Sequence, residues 1–407
     1  MHRQANQPQA SWLLETVRNP KLARIYVVPL LSNLTGSMTW AINVLYALEL
    51  GASIFEVNLI STIWSTMSIL VLVPFGILSD RLGRKPMLVL PTILVIVGST
   101  IRALSTSPSH LLVASFFGAL SSDFFTVLVS MVVDVAEPKE QRVAISTLLL
   151  FSSVGMVIGP LIGSLLLSLP MIRLRNLYHL DIVSQTCVLL YVAFRVSETR
   201  KKEATSERTE LRAYVGDLLG KPSFRYMLAM SFLFFYFFAS MNTYVPIFAN
   251  RTLGLSDSEV SALATFRGLA TMLIRFSAAT FLNKVSATGF LMAILCMGGV
   301  TALVAPLANS YAALIVIVFL YGASFGATMI LGYILVTSDS SARSRGTANA
   351  IYSVFQSMGS LAVVTTSQVA ETIGLTPVFL IAGISALSSA IPVYLRRYRA
   401  KVNSLQS

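Results

Sequence analysis

Two ionisable residues sit where charge is expensive. Asp123 lies in Leu120-Ser121-Ser122-Asp123-Phe124-Phe125, and Arg267 lies in Ala264-Thr265-Phe266-Arg267-Gly268-Leu269, both within long apolar stretches. A charge at the centre of a membrane-crossing helix costs on the order of 2.5–3.5 kcal/mol on insertion scales. Asp123 can bind a proton or a cationic substrate, and Arg267 can hold an anion or act as a counter-ion. The structural alternatives are an ion pair, or Asp123 hydrogen-bonded to Ser121, Ser122 and backbone groups. Weakly polar and aromatic positions in other apolar stretches, Asn33, Trp40, Asn43, Tyr236, Asn242, Tyr244 and Gln356, can line a cavity with them or serve as packing and interfacial residues. A lining of that mixture suits bulky amphipathic solutes.

A second constellation is the run Gly76-Ile77-Leu78-Ser79-Asp80-Arg81-Leu82-Gly83-Arg84-Lys85-Pro86. Asp80 can accept from helix N-terminal amides and from cations. Gly76 and Gly83 permit close backbone approach and a tight turn. A loop that only fixed topology would account for Arg81, Arg84 and Lys85, but not for Asp80 or the glycines. Asp134, Glu137, Glu140 and Arg142 border the same face, and Asp134 with Arg142 can form a charge relay with this loop. A third segment, Gly155-Met156-Val157-Ile158-Gly159-Pro160-Leu161-Ile162-Gly163-Ser164, puts Gly155, Gly159 and Gly163 four apart on one helix face, where another helix can approach. Pro160 kinks that helix. The expected neighbour is the eighth span, in the other half. Generic small-residue packing is the alternative.

The elements that carry these residues follow from composition. Of the 407 residues, 55% are hydrophobic and 12% charged, and mean hydropathy is +0.73; soluble domains carry about 25% charged residues. A helix crosses the hydrocarbon core with roughly 20 apolar residues. Spans are predicted near 24–49, 54–79, 87–106, 110–134, 143–169, 181–196, 226–250, 257–281, 287–306, 311–336, 346–372 and 377–395. Asp123 and Arg267 then lie roughly 18 Å and 15 Å into their helices at 1.5 Å per residue. On this reading Asp123 is the acidic side chain near mid-depth, and Glu49, Glu56, Glu259 and Arg102 reach water at the outer ends. Cys187 and Cys296 fall inside spans and read as packing residues, with no disulfide framework.

The net charge of +12 is gathered on one side. With the N-terminus in the cytoplasm, Arg18, Arg24, Arg81, Arg84, Lys139, Lys284, Arg343, Arg397 and the cluster from Arg195 to Arg225 are inside, and Arg173, Arg175 and Arg251 are outside. That bias follows the positive-inside rule and puts both termini in the cytoplasm. Basic residues scattered along one membrane face do not form a nucleic-acid surface. No Walker loop appears, so direct ATP hydrolysis is not the energy source. His2, His110 and His179 are dispersed and make no metal set. No enzyme constellation and no cofactor site is expected.

The charged stretch 197–224 separates two halves and carries a short amphipathic helix around Leu211–Leu219. The organisation is an N-terminal segment 1–23, a six-helix bundle 24–196, the linker 197–224, a second six-helix bundle 225–396 and a tail 397–407. The halves repeat. Leu50-Gly51-Ala52-Ser53-Ile54-Phe55-Glu56-Val57 matches Leu253-Gly254-Leu255-Ser256-Asp257-Ser258-Glu259-Val260 at an offset of 203 (254 − 51). The same offset sets Asp80-Arg81 over Asn283-Lys284, and Arg142 over Arg345. Repeats of this kind place a substrate site between the halves near the midplane.

The Gly76–Lys85 loop is a complete match to G-x-L-x-D-R-x-G-R-K/R, and with the six-plus-six topology the chain resembles the major facilitator superfamily. The resemblance implies an all-α membrane protein of twelve transmembrane helices in two pseudo-symmetric six-helix bundles. It implies that Asp80 and Arg81 engage the neighbouring helix of the other half and lock the outward-open state, with a weaker gate where Asn283 replaces the acid. The Gly155–Ser164 segment is similar to G-x-x-x-G-P-x-x-G in drug-exporting proton antiporters, with Ser164 where a second glycine is often seen. The segment around Gly359 lacks the pattern, as in that group. The chain departs from those exporters in having no Arg in 110–134. The expected function is proton-coupled efflux of small organic or drug-like compounds across the plasma membrane by a monomer. The alternatives are uptake or exchange of an anionic metabolite through Arg267, and a transporter-like sensor or scaffold that no longer cycles.

Overall fold

The computed structural model describes residues 16–121, 124–137, 140–199, 211–282, 286–338, 340 and 345–406. Among them the chain is helical, with no β-strand. In lipid the backbone polar groups must be satisfied within each segment, and a helix does this without a partner. Ten stretches are long and apolar enough to cross a membrane. They lie in α1 (Pro20–Glu49), α2 (Ile54–Leu82), α3 (Pro86–Ala103), the pair α4 (Pro108–Ala119) and α5 (Phe124–Val135), α6 (Gln141–Leu167), α7 (Leu174–Arg195), α9 (Pro222–Arg251), α11 (Ala287–Val304), α12 (Tyr311–Ser338) and α15 (Leu375–Gln406). Two further segments complete the set of twelve. They are α10 (Asp257–Leu282) and the run of α13 (Arg345–Leu361), a 3-10 stretch Ala362–Thr366 and α14 (Ser367–Thr372). Asp257, Glu259, Arg267 and Arg275 make α10 more polar than its neighbours, and Asn349, Ser353 and Gln356 do the same for α13. The short linker helix expected around Leu211–Leu219 is α8, Leu211–Gly220.

The sixth span begins earlier than expected. The predicted start at 181 is corrected to Leu174, because Arg175, Asn176, His179 and Asp181 disguise its first two turns as loop. Asn176 secures that start by accepting the backbone N–H of Arg173 (2.9 Å).

The chain forms two compact units, Met1–Tyr46 with Leu70–Ala204 and Ala47–Ile69 with Thr205–Ser407. Lipid supplies no dehydration force between helices, so close packing must hold each unit together. In the first unit Leu22, Ile25 and Tyr26 of α1 join Leu88 of α3, Met131 of α5 and Val188 of α7 in one core. In the second unit α9 is central, with Phe234, Phe237 and Tyr244 fully buried. Gly299 of α11 and Gly383 of α15 face each other, and a Cβ on either would come within about 3 Å of the other's carbonyl oxygen. Hydroxyls within the spans satisfy themselves on the preceding turn, as Thr66 does on Thr62 and Thr100 on Ile96 (both 2.8 Å).

The internal repeat has a local counterpart in geometry. Ser53 and Glu56 form a capping box at the start of α2, with Ser53 N–H donating to Glu56 (2.8 Å) and Glu56 N–H to Ser53 (3.1 Å). Ser256 and Glu259 form the same box before α10 (2.9 and 3.3 Å). The preceding glycines, Gly51 and Gly254, both have positive φ (85° and 65°). Cys187 and Cys296 are corrected: both thiols are free and exposed on helix surfaces rather than packed inside. In a membrane span an outward face is itself apolar, and a thiol is compatible with it.

Candidate transport site and loop clamp

The loop after α2 is held by α5, by α7 and by the segment that follows α7, all in the first unit. Gly83 takes a positive φ of 106° and turns the chain into α3. The N–H groups of Arg84 and Lys85, left without intrahelical acceptors at the start of α3, donate to the Glu198 carboxylate (2.9 and 3.0 Å). The Thr199 N–H donates to the same carboxylate (3.0 Å). In return, Lys85 Nζ donates to the Ala193 carbonyl in the last turn of α7 (2.7 Å). An anion thus sits at one helix start and a cation at another helix end, the favourable sense for both dipoles. Arg84 extends the assembly by pairing through Nε with Asp134 (3.3 Å) and donating from Nη1 to Ser79 (2.9 Å). Thr199 Oγ1 also donates to Asp134 (3.4 Å).

The sequence places Asp134 with Arg142, and the described contacts of Asp134 are with Arg84 and Thr199. Asp80 and Gly76 lie in the last turns of α2, Arg142 opens α6 and Arg345 opens α13; their side-chain placement lies outside the described residues. Arg81 is exposed, as the loop position suggests. Glu198 was not singled out, since its partners lie more than a hundred residues away in the chain.

The glycine face of α6 meets α1. A Cβ on Gly155 would come 2.6 Å from the Leu30 carbonyl oxygen, and one on Gly159 would strike the Leu34 carbonyl and the Ser37 hydroxyl. The approach described for these glycines is made by α1, inside the same unit. Gly163 is buried, and Pro160 lies within the helix. Asn33 serves this contact, donating from Nδ2 to Ser152 (2.9 Å). Ser37 adds a bond to the Gly155 carbonyl (3.2 Å). Asn43 accepts from the Tyr178 hydroxyl (3.4 Å), and Trp40 is 42% exposed.

The second unit gathers Arg267, Asn242 and Tyr321 from α10, α9 and α12. Arg267 Nη1 donates to Asn242 Oδ1, and the Tyr321 hydroxyl lies beside the guanidinium. Next to them Phe238 and Phe325 stack at 3.9 Å between ring centroids and 12° between planes. A separate buried cluster joins Asn58 to the Tyr244 hydroxyl and to Ser367 (both 2.9 Å), and Tyr244 to Thr366 (3.2 Å). Gln356 is buried on α13. Tyr244 is thus tied into a hydroxyl network rather than lining open space, and Asn58 and Tyr321 are partners the sequence did not single out.

Asp123 lies outside the described residues. Asp181 corrects the view that every other acid is near a span end. It stands seven residues into α7, is 2% exposed, and accepts from Ser99 Oγ (2.5 Å) and Gln185 Nε2 (3.3 Å). Its donors are neutral groups of α3 and α7.

Known proteins share this architecture. An uncharacterized MFS-type transporter, YdgK of Bacillus subtilis (strain 168), is 28% identical over 200 residues, 48% of this chain and 49% of that protein. The multidrug resistance protein MdtH of Photorhabdus laumondii subsp. laumondii is 39% identical over 93 residues, 23% of each chain. The chain matches about half the length of the first relative and about a quarter of the second. The crystal structure of the nucleoside transporter NupG aligns at a TM-score of 0.79 and 12% identity, covering 93% of this chain and 99% of that one, a likeness of fold. Residues 25–364 match the family model for the Major Facilitator Superfamily. With twelve helices, a clamped loop after the second and this match across most of its length, the chain belongs to the major facilitator superfamily of membrane transporters.

Proposed function

We propose that this transporter exports small organic compounds from the cytoplasm across the plasma membrane in exchange for protons, as a monomer with both termini inside. The observation that carries the alternating-access part is the loop clamp. A charged loop tied to α5 through Asp134, to α7 through Lys85 and to the segment after α7 through Glu198 is a costly arrangement for a connection that only reverses the chain. In this reading Gly76, Asp80, Arg81, Gly83, Arg84 and Lys85 form a gate, with Asp134, Arg142 and Arg345 as its charged neighbours. Export, rather than uptake, rests on the relative named a multidrug resistance protein and on the Gly155–Gly163 segment. Asp123 is assigned the proton and Arg267, with Asn242, the substrate.

Inverted vesicles with an imposed inward-acid pH gradient test this directly. The expected result is accumulation of an exported dye that collapses when a protonophore removes the gradient. Accumulation only in right-side-out vesicles would move the chain to the second reading, uptake or exchange of an anion, which Arg267, without a carboxylate partner among the described residues, also fits.

A further inference from the structure

The surroundings of Arg267 specify a ligand class. The guanidinium lies ten residues into α10, roughly 15 Å along the helix, and is half-buried. Its partners, Asn242 and Tyr321, are neutral. Among the described residues no carboxylate pairs with it. Asn242 and Tyr321 orient the group without cancelling its charge. A guanidinium has five N–H donors in a planar fork that matches a carboxylate, so most of that capacity is left for another acceptor.

The second half of the specification is aromatic. Phe235, Phe238 and Asn242 share one face of α9, and Tyr321 and Phe325 share one face of α12. Phe238 stacks on Phe325 at 3.9 Å; Phe235 is 6.2 Å from each, and Tyr321 is 6.3 Å from Phe238. Phe235, Phe238 and Phe325 keep part of their surface exposed. Rings and guanidinium therefore form one continuous seam along α9 and α12, with α10 contributing the one charge among the described residues of the seam.

We propose that this seam binds an organic anion whose negative charge is attached to a planar aromatic group, such as an aryl carboxylate. A cation is repelled by Arg267. A neutral aromatic leaves the guanidinium uncompensated at membrane depth. An aliphatic anion satisfies the charge but forgoes ring stacking. The inference rests on reading the chain as a carrier of small organic compounds, but it concerns binding alone, and direction and proton coupling do not enter it.

The test uses purified full-length protein in detergent and titrates naphthoate, naphthamide and cyclohexanecarboxylate by calorimetry. Naphthoate is expected to bind saturably, naphthamide at least about tenfold more weakly, the range of one charge-assisted hydrogen bond, and cyclohexanecarboxylate several-fold more weakly, the range of a lost aromatic contact. Arg267→Gln should reduce naphthoate binding to the naphthamide level. Asn242→Asp supplies an internal carboxylate and should do the same by another route. Phe238→Leu should weaken naphthoate more than cyclohexanecarboxylate. If a variant fails to fold, the three-ligand comparison on the wild-type protein decides alone. Absent naphthoate binding, equal binding of naphthamide, or undiminished binding by folded Arg267→Gln overturns the proposal. Failure here alongside proton-driven accumulation of another compound in inverted vesicles leaves export intact. Naphthoate binding without such accumulation removes export and leaves the site.

Discussion

The Glu198 carboxylate receives backbone N–H groups from Arg84, Lys85 and Thr199. A Cβ on Gly83 would press against it at 2.5 Å. It acts as an N-terminal cap supplied by the segment that follows α7. Glu198→Ala leaves the Arg84 and Lys85 donors without their acceptor, a loss of about 0.5–2 kcal/mol by analogy with local caps. The expected outcome is a lower melting temperature and slower transport at equal surface abundance. Glu198→Gln keeps an acceptor oxygen and should recover much of the stability but less of the rate, because the helix dipole at the start of α3 loses its counter-charge. A Gln variant as impaired in melting as the Ala variant would mean that charge, not hydrogen bonding, holds the loop. The loop's own residues were legible because their spacing is local: Gly83 turns the chain and Arg84 and Lys85 follow at once. Glu198 was not, because only folding brings the end of α7 to the start of α3. Asp181 was hidden differently, by polar neighbours that made the first turns of its helix look like a connection.

At the scale of elements, the contact of α6 with α1 sets how two spans approach. Leu30 and Leu34 present their carbonyls to Gly155 and Gly159, and Asn33 bonds Ser152 beside them. The second unit has a single-glycine counterpart: a Cβ on Gly359 of α13 would strike the Phe232 carbonyl of α9. The sequence therefore showed which face is kept bare but not which helix fills it, since four-residue spacing fixes a face of one helix and says nothing of its neighbour. Gly159→Ala must push α1 away or tilt α6, and overpacking of this kind costs about 1–3 kcal/mol; Gly159→Leu should abolish transport. Gly359→Ala is expected to act in the same direction. Cysteines at Asn33 and Ser152 should be joined by a short bifunctional reagent, and less readily once Gly159→Ala is added. Equal crosslinking with and without that change would show that α1 does not yield at this contact.

For the whole molecule, the strongest constraint was also the most legible. A backbone in lipid must satisfy itself, so apolar runs of span length become helices, and the predicted spans correspond to helices with adjustments of end and polarity. The repeat was legible for a related reason, since a capping box is a local device and both copies kept it, Ser53 with Glu56 and Ser256 with Glu259. The proposed proton coupling depends on a group that feels two environments in turn. Asp123, thirteen residues past the start of the fourth predicted span, is our candidate for it. If its surroundings open alternately to the two faces, a proton can load on one side and leave on the other, and substrate and proton compete for one carboxylate. Asp123→Asn fixes the neutral form. It should abolish transport driven by a pH gradient while leaving substrate-for-substrate exchange at least partly intact, because exchange requires the conformational cycle but no net proton movement. The two modes are compared in reconstituted vesicles loaded with the same compound, with protein content matched. Loss of both modes would make the carboxylate part of the substrate site or of the fold. Undiminished pH-driven transport would remove the proton from Asp123, and Asp181, buried in α7 with Ser99 and Gln185, would be the next acid to test.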